Sequence, residues 1–274
     1  MMPLLFIMFI VLVMRAVTLD GAMEGVKFFL WPDFSNITGK ALLEALGQSF
    51  FGLAVGFSCL VTYSSYLKKD VSLPNSAGSV VLLTVLVSFL AGLAIFPVVF
   101  AFDLEPAAGP GLLFMVLPTA FSQMPFGEVF LAMFLLLFLF ATLTSSFSLY
   151  EIIVAAMMEN SQKSRPMWTL LLGIVVFLAA IPAALSSSIL SDVTIFEKSI
   201  FDATDFLVSN LMLPLGNLFI AIFIAYVVDK EFVKRELLMG SKMGQGYYST
   251  YRILMLVVVP IVILVVFINM LLQY

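Results

Sequence analysis

Apolar residues run along this chain in long blocks separated by short polar stretches, at about residues 3–18, 41–66, 76–101, 129–157, 167–187, 205–228 and 253–273. Six of these blocks exceed the roughly 18 residues that a helix needs to cross a bilayer. Their hydrophobicity is continuous rather than alternating, so they read as spanning helices and not as barrel strands. The first block is short: residues 3–14 are uncharged and apolar, and Arg15 then interrupts. It has neither the basic start nor the small-residue cleavage site of a signal peptide, and reads as a truncated helix. Two connecting stretches carry structure of their own. Residues 111–121 (GLLFMVLPTAF) are apolar yet too short to span, and Pro106, Gly109 and Pro110 set them off. They predict a re-entrant helix or a lid packed on the outer face. Residues 229–252 mix charges with Tyr247, Tyr248 and Tyr251, which suits a segment lying at the membrane interface.

Composition narrows the class. Of 274 residues, 62% are apolar and 11% charged, which excludes a water-soluble globule with a polar shell. The expected fold is an all-α polytopic membrane protein, one transmembrane domain over residues 1–274, whose first partner is the lipid bilayer. Thirteen basic and seventeen acidic residues give a net charge of −4 and form no basic stripe, which argues against a nucleic-acid partner. Histidine is absent and Cys59 is the only cysteine, so zinc chemistry, Ser-His or Cys-His catalysis and a disulfide framework all lack their parts. Glu151, an acid embedded in the fourth long block, has no acidic mate for intramembrane proteolysis. It reads as a packing or gating residue on the cytoplasmic side, and the chain as no enzyme.

Charge also orients the spans. If block 41–66 runs from outside to inside and the others alternate, nine basic residues lie inside: Lys68, Lys69, Lys163, Arg165, Lys230, Lys234, Arg235, Lys242 and Arg252. Four lie outside: Arg15, Lys27, Lys40 and Lys198. That bias follows the positive-inside rule and predicts a cytoplasmic N-terminus and an external C-terminus.

Block 41–66 differs from the rest, because Gly47, Gly52 and Gly56 fall inside it. Interrupted spans, whose freed carbonyls and half-helix ends face a cavity, build the midplane sites of many secondary transporters. The alternative is that Gly52 and Gly56, spaced as GxxxG, form a helix-packing notch. Around these glycines stands GQSFFGLAVGFSCLVTYSSY (47–66), followed by GLAIFP (92–97), GPGLLF (109–114), LPTAFSQMP (117–125), FATLTSS (140–146) and TDF (204–206). Together and in order these segments resemble the neurotransmitter:sodium symporter family of sodium-dependent amino-acid transporters, along the whole chain. The resemblance assigns the blocks to the end of family helix 5 and then helices 6 to 11. It implies the second inverted repeat (helices 6 to 10) plus helix 11 of the leucine-transporter-like fold, with the first repeat missing. It further implies sodium-coupled symport of an amino acid across the cytoplasmic membrane by alternating access, performed by a complete protein of which this is the C-terminal part. Helices 1 to 5 would come in cis or from a second chain. The alternative is a truncated or split-gene product that transports nothing by itself.

The resemblance also implies site residues. Phe51, Ala54, Phe57 and Leu149 match the wall around the substrate side chain, and a wholly apolar wall suits an apolar or aromatic amino acid. Taken without the resemblance, two phenylalanines in such a helix are ordinary lipid-facing or core residues. The Ala141 carbonyl and the Thr144 and Ser145 hydroxyls match the second sodium site, while on the residues alone these hydroxyls bond back to the preceding turn. Gly52 and Thr84 match the first sodium site, with a glycine where the family has Thr or Ser and a threonine where it has Asn or Asp. Gln48 and Ser88 match positions that hold chloride in animal members. Asp205 matches the acidic half of the external gate, completed by Phe206 and the 109–121 segment; the residue-level alternative is a helix-start acid near the positive end of the dipole.

Overall fold

Blocks of this length cannot leave their backbone polar groups unpaired in hydrocarbon, and they fold as helices. The computed structural model describes residues 2–31, 34, 37–68, 70–104, 112–159, 164–241 and 244–272. Lys69, Pro106, Gly109, Pro110, Gly111, Lys163 and Lys242, singled out above, lie outside these. Five helical stretches among the described residues are long and apolar enough to cross a membrane: Leu73–Ala101, Gly127–Glu159, Arg165–Leu185, Ile200–Val227 and Gln245–Leu272.

The chain begins with α1 (Met2–Val17), which bends by 118° into α2 (Ala22–Leu30). Then come α3 (Gly39–Gly52), α4 (Cys59–Ser65) and α5 (Leu73–Ala101). A π-helical turn at Leu112–Val116 leads into α6 (Leu117–Ser122), the apolar segment expected near 111–121, and on to α7 (Gly127–Glu159) and α8 (Arg165–Leu185). A two-stranded antiparallel hairpin, β1 (Thr194–Ile195) and β2 (Lys198–Ser199), pairs Thr194 with Ser199 and Ile195 with Lys198. Next is α9 (Ile200–Asp205), which passes through a π-helical stretch at Phe206–Met212 into α10 (Leu213–Ile222). The last elements are α11 (Lys230–Leu238), α12 (Gln245–Ile253) and α13 (Val259–Leu272). The block at 41–66 is two helices, the interruption expected from its glycines, whereas α2 and the hairpin are added elements too short to register as apolar blocks.

The chain divides into two compact units, residues 1–37 with 81–146, and residues 38–80 with 147–274. In the first, α1 turns the stripe Leu5, Met8, Phe9, Leu12 and Ala16 inward at helical spacing, onto a core that includes Val98 and Val99 of α5, Leu117 and Phe121 of α6, and Phe134 and Leu137 of α7. Phe28 and Phe29 of α2 lie against the α5 rings: Phe28 is 5.2 Å from Phe96 and 5.0 Å from Phe100, and Phe29 is 5.5 Å from Phe89. In the second unit, α10 and α13 pack on one another and on α3. Gly47 of α3 presses on Met270 and Val266 of α13.

Candidate functional site

Helix α3 ends in a Schellman cap. The Val55 N–H donates to the Phe50 carbonyl (3.0 Å) and the Ala54 N–H to the Phe51 carbonyl (2.9 Å), the paired bonds that close such an end. The left-handed residue that this cap needs is Ala54, at φ 51°. Gly56 (φ 96°) and Ser58 (φ 64°) are left-handed too, so the chain reverses its local handedness three times between Leu53 and Ser58 before α4 begins at Cys59. The span is therefore interrupted, as the glycines suggested. Alanine and serine at positive φ cost roughly 1–3 kcal/mol each and persist only where surrounding structure imposes them.

Of the four residues expected to line the substrate wall, Ala54 and Phe57 lie in the break and Phe51 in the last turn of α3. The Phe51 and Phe57 ring centroids are 6.4 Å apart at 69°, an edge-to-face pair. Ala54 lies between them in sequence. Leu149 is on α7, in the same unit.

Of the second-sodium-site residues, Ala141, Thr144 and Ser145 are brought together on one turn of α7. The Thr144 hydroxyl donates to the Ala141 carbonyl at 2.9 Å and lies 3.0 Å from the Phe140 carbonyl. The Ser145 hydroxyl donates to the same Ala141 carbonyl at 3.1 Å. Three oxygens thus converge through the back-bonding of Ser and Thr in helices. A hard cation takes such neutral oxygens, and each hydroxyl keeps lone pairs for it while its proton points at a carbonyl. Among the described residues no three carboxylate, imidazole or thiol groups gather into a metal site. Gln48 and Gly52 are on α3, whereas Thr84 and Ser88 are on α5, in the other unit.

Asp205 is not a helix-start residue. The start of α9 is capped by Ser199, whose hydroxyl accepts from the Asp202 N–H (3.1 Å) and donates to the Asp202 carboxylate (2.6 Å). Asp205 sits a turn later, where its carboxylate accepts from the Ser209 hydroxyl (2.9 Å). The Lys198 ammonium lies 5.3 Å from the centre of the Phe206 ring, within cation–π range.

One cluster lay beyond sequence reasoning. The Glu151 carboxylate accepts from the Tyr66 hydroxyl at the end of α4 (2.8 Å) and pairs with the Arg165 guanidinium at the start of α8. One turn along, the Tyr63 hydroxyl donates to Ser148 (2.9 Å). The lone acid in the fourth long block thus ties α4, α7 and α8, with its side chain only 16% exposed. Its isolation was readable, but its partners, 85 residues before it and 14 after it, were not.

Comparison with known proteins accounts for these features together. The model of the "Sodium:neurotransmitter symporter family" matches residues 1–274. The "Uncharacterized sodium-dependent transporter YhdH" of Bacillus subtilis (strain 168) is 49% identical over 270 residues, which are 98% of this chain and 60% of that protein. An uncharacterized sodium-dependent transporter of Haemophilus influenzae is 42% identical over 270 residues, 98% of this chain and 58% of its own length. Among solved structures, that of MhsT in complex with L-phenylalanine matches with a TM-score of 0.85 at 39% identity, covering 98% of this chain and 61% of that one. The chain spans about three-fifths of the length of these relatives. Over that stretch it has the leucine-transporter-like fold of a multi-pass membrane protein, and it belongs to the sodium:neurotransmitter symporter family.

Proposed function

We propose that the complete protein is a sodium-coupled symporter of an apolar or aromatic amino acid, working by alternating access in the cytoplasmic membrane, with the N-terminal end of this chain inside and its C-terminal end outside. The observation that carries this reading is the break between α3 and α4. Inside a membrane, non-helical backbone is tolerated only where it is buried in protein or lines a cavity, and here it is flanked by the Phe51 and Phe57 rings. Phe51, Ala54, Phe57 and Leu149 offer the side chain of the substrate an apolar surface. Sodium is cargo, taken by the Ala141 carbonyl and the Thr144 and Ser145 hydroxyls at one position. From the family resemblance alone, Gly52 and Thr84 are assigned to a further sodium position and Gln48 and Ser88 to chloride. MhsT was solved with L-phenylalanine, which agrees with an aromatic substrate.

The two ends of the path close by different contacts. On the outer side, Asp205 with Phe206 and, separately, the α6 segment are assigned the closing roles. Inside, Glu151 holds Tyr66 of α4 and Arg165 of α8, so that opening inward requires breaking a charge-assisted hydrogen bond and an ion pair. Sodium drives uptake because it binds the outward-facing arrangement better, and sodium and amino acid raise each other's affinity by the same factor.

The test is uptake of labelled leucine, phenylalanine, tyrosine and tryptophan by the complete polypeptide in proteoliposomes under a sodium or a potassium gradient. Sodium stimulates uptake of at least one of them, and equal uptake in both gradients refutes the reading. A second reading, that this chain by itself moves nothing, is favoured by its spanning three-fifths of its relatives. Running residues 1–274 alone through the same assay decides it.

A further inference from the structure

The break at Leu53–Ser58 frees carbonyls that an intact helix would pair, and an unpaired carbonyl in a dry interior carries a heavy penalty. In a continuous helix the Val55 carbonyl would accept from the Cys59 N–H. Here it accepts instead from the side-chain amide of Asn217 on α10, at 3.1 Å. Asn217 is 4% exposed, one of three buried polar residues among those described, and its donor serves no element of its own helix.

Two glycines allow this contact. A β-carbon on Gly56 would stand 2.7 Å from the Leu213 carbonyl and 3.2 Å from the Asn217 side chain. One on Gly216 would stand 2.8 Å from the Gly56 carbonyl. Helix α10 is thus seated on the loop backbone to backbone, and the Asn217 amide is held where the freed carbonyl needs a donor. Val55 directly follows Ala54 and stands two residues before Phe57, so a pin at its carbonyl fixes both.

We propose that Asn217 is a positioning residue for the substrate wall: by replacing the lost helical hydrogen bond of Val55 it holds the broken segment, and with it the neighbouring Ala54 and Phe57, in one arrangement. It touches no substrate and acts through the loop. The proposal rests on the transport reading above for its consequence, while the pin itself is a property of the fold.

The experiment uses the complete polypeptide carrying Asn217→Ala or Asn217→Asp, the second keeping the volume of the side chain but presenting a carboxylate that accepts where a donor is needed. Removing the donor to a buried carbonyl is expected to raise the KM for the best labelled amino acid about tenfold in both variants. Maximal rate changes much less, because the groups that meet the ion are untouched. Amide hydrogen exchange across Leu53–Cys59 quickens by a similar factor in both variants, with sodium present and no amino acid added. Unchanged exchange there in both variants overturns the proposal, as does a loss seen in Asn217→Ala and absent in Asn217→Asp. If the wild-type protein shows no sodium-stimulated uptake, the transport reading fails on its own, and the exchange measurement still decides the pin.

Discussion

Gly52 and Gly56 stand four residues apart in one block, and the structure gives them different work. At Gly56 the backbone is left-handed (φ 96°) and an added β-carbon would lie 2.7 Å from the Leu213 carbonyl oxygen. An L-residue in that conformation costs roughly 1–2 kcal/mol. Forcing α10 away from the loop costs roughly another 1–3 kcal/mol, as other overpacked sites do. The sum for Gly56→Ala, about 2–5 kcal/mol, is a large fraction of the stability of an ordinary domain. At Gly52, the last residue of α3, a β-carbon meets no atom within 4 Å among the described residues. Gly52→Ala there should be neutral, or stabilise by up to about 1 kcal/mol through helix propensity. The assay is thermal unfolding of the purified complete polypeptide, followed by loss of the monodisperse peak on size exclusion. At roughly 2–4 °C per kcal/mol, Gly56→Ala should lower the midpoint by about 4–20 °C while Gly52→Ala leaves it unchanged or raises it by up to about 4 °C. A GxxxG packing notch makes the opposite forecast, since both glycines would then face a neighbouring helix. Similar losses at the two positions, or a tolerated Gly56→Ala, would refute the argument from the break.

Three further outcomes follow from the site geometry. Thr144→Val keeps the shape of the side chain, and Ser145 still bonds the Ala141 carbonyl; the sodium concentration for half-maximal uptake should rise roughly tenfold with little change in thermal stability, and an unaltered sodium titration removes these oxygens from the ion site. Glu151→Gln leaves Arg165 without its carboxylate and weakens the hold on Tyr66, so the inward-open population grows. Because Arg165 is half exposed, the apparent affinity for external amino acid should fall only about threefold, and no change in affinity or in the inner accessibility of the site argues against a latch. Asp205→Ala should slow uptake without moving the unfolding midpoint, whereas Ser199→Ala, which removes the cap of α9, should lower the midpoint and leave uptake nearly intact. The reverse pattern would mean that Asp205 is structural.

The long spans were legible because twenty or so apolar residues without a charge have few alternatives to a membrane helix. The interruption was legible in part: Gly56 marked it, but the two non-glycine residues at positive φ, Ala54 and Ser58, carry no sequence signal. Helix α2 is nine residues long and owes its place to Phe28 and Phe29 lying on Phe89, Phe96 and Phe100, a contact across some sixty residues that no local pattern records. The hairpin turns at Phe196 and Glu197, both left-handed, without the Asn-Gly or Asp-Gly pair that announces such a turn. Among the candidate site residues, the Thr144 and Ser145 hydroxyls bond back to the preceding turn, as the residues alone suggested, and that bonding sets their oxygens at the Ala141 carbonyl. The Glu151 cluster shows the opposite limit: a lone acid is visible in sequence, while the tyrosine and arginine that satisfy it are fixed by packing.

The distribution of rigid and broken elements bears on how two cargoes are coupled. Helix α7 is uninterrupted over 33 residues and carries the three oxygens of the proposed ion position, Leu149 of the proposed wall, and Glu151. Helix α7 contains no proline and no glycine after Gly127. The joint belongs to the neighbouring element, where six residues between α3 and α4 make few helical hydrogen bonds and include three left-handed conformations. Glu151 and Ser148 hold α4, the far side of that joint, through Tyr66 and Tyr63. Asn217 holds the joint itself from α10. On the transport reading proposed above, movement of α4 about Leu53–Ser58 would break the Tyr66 and Tyr63 bonds, while the Val55 bond could persist as the pivot. A hinge held at its centre and released at one arm would then open one side of the proposed site at a time.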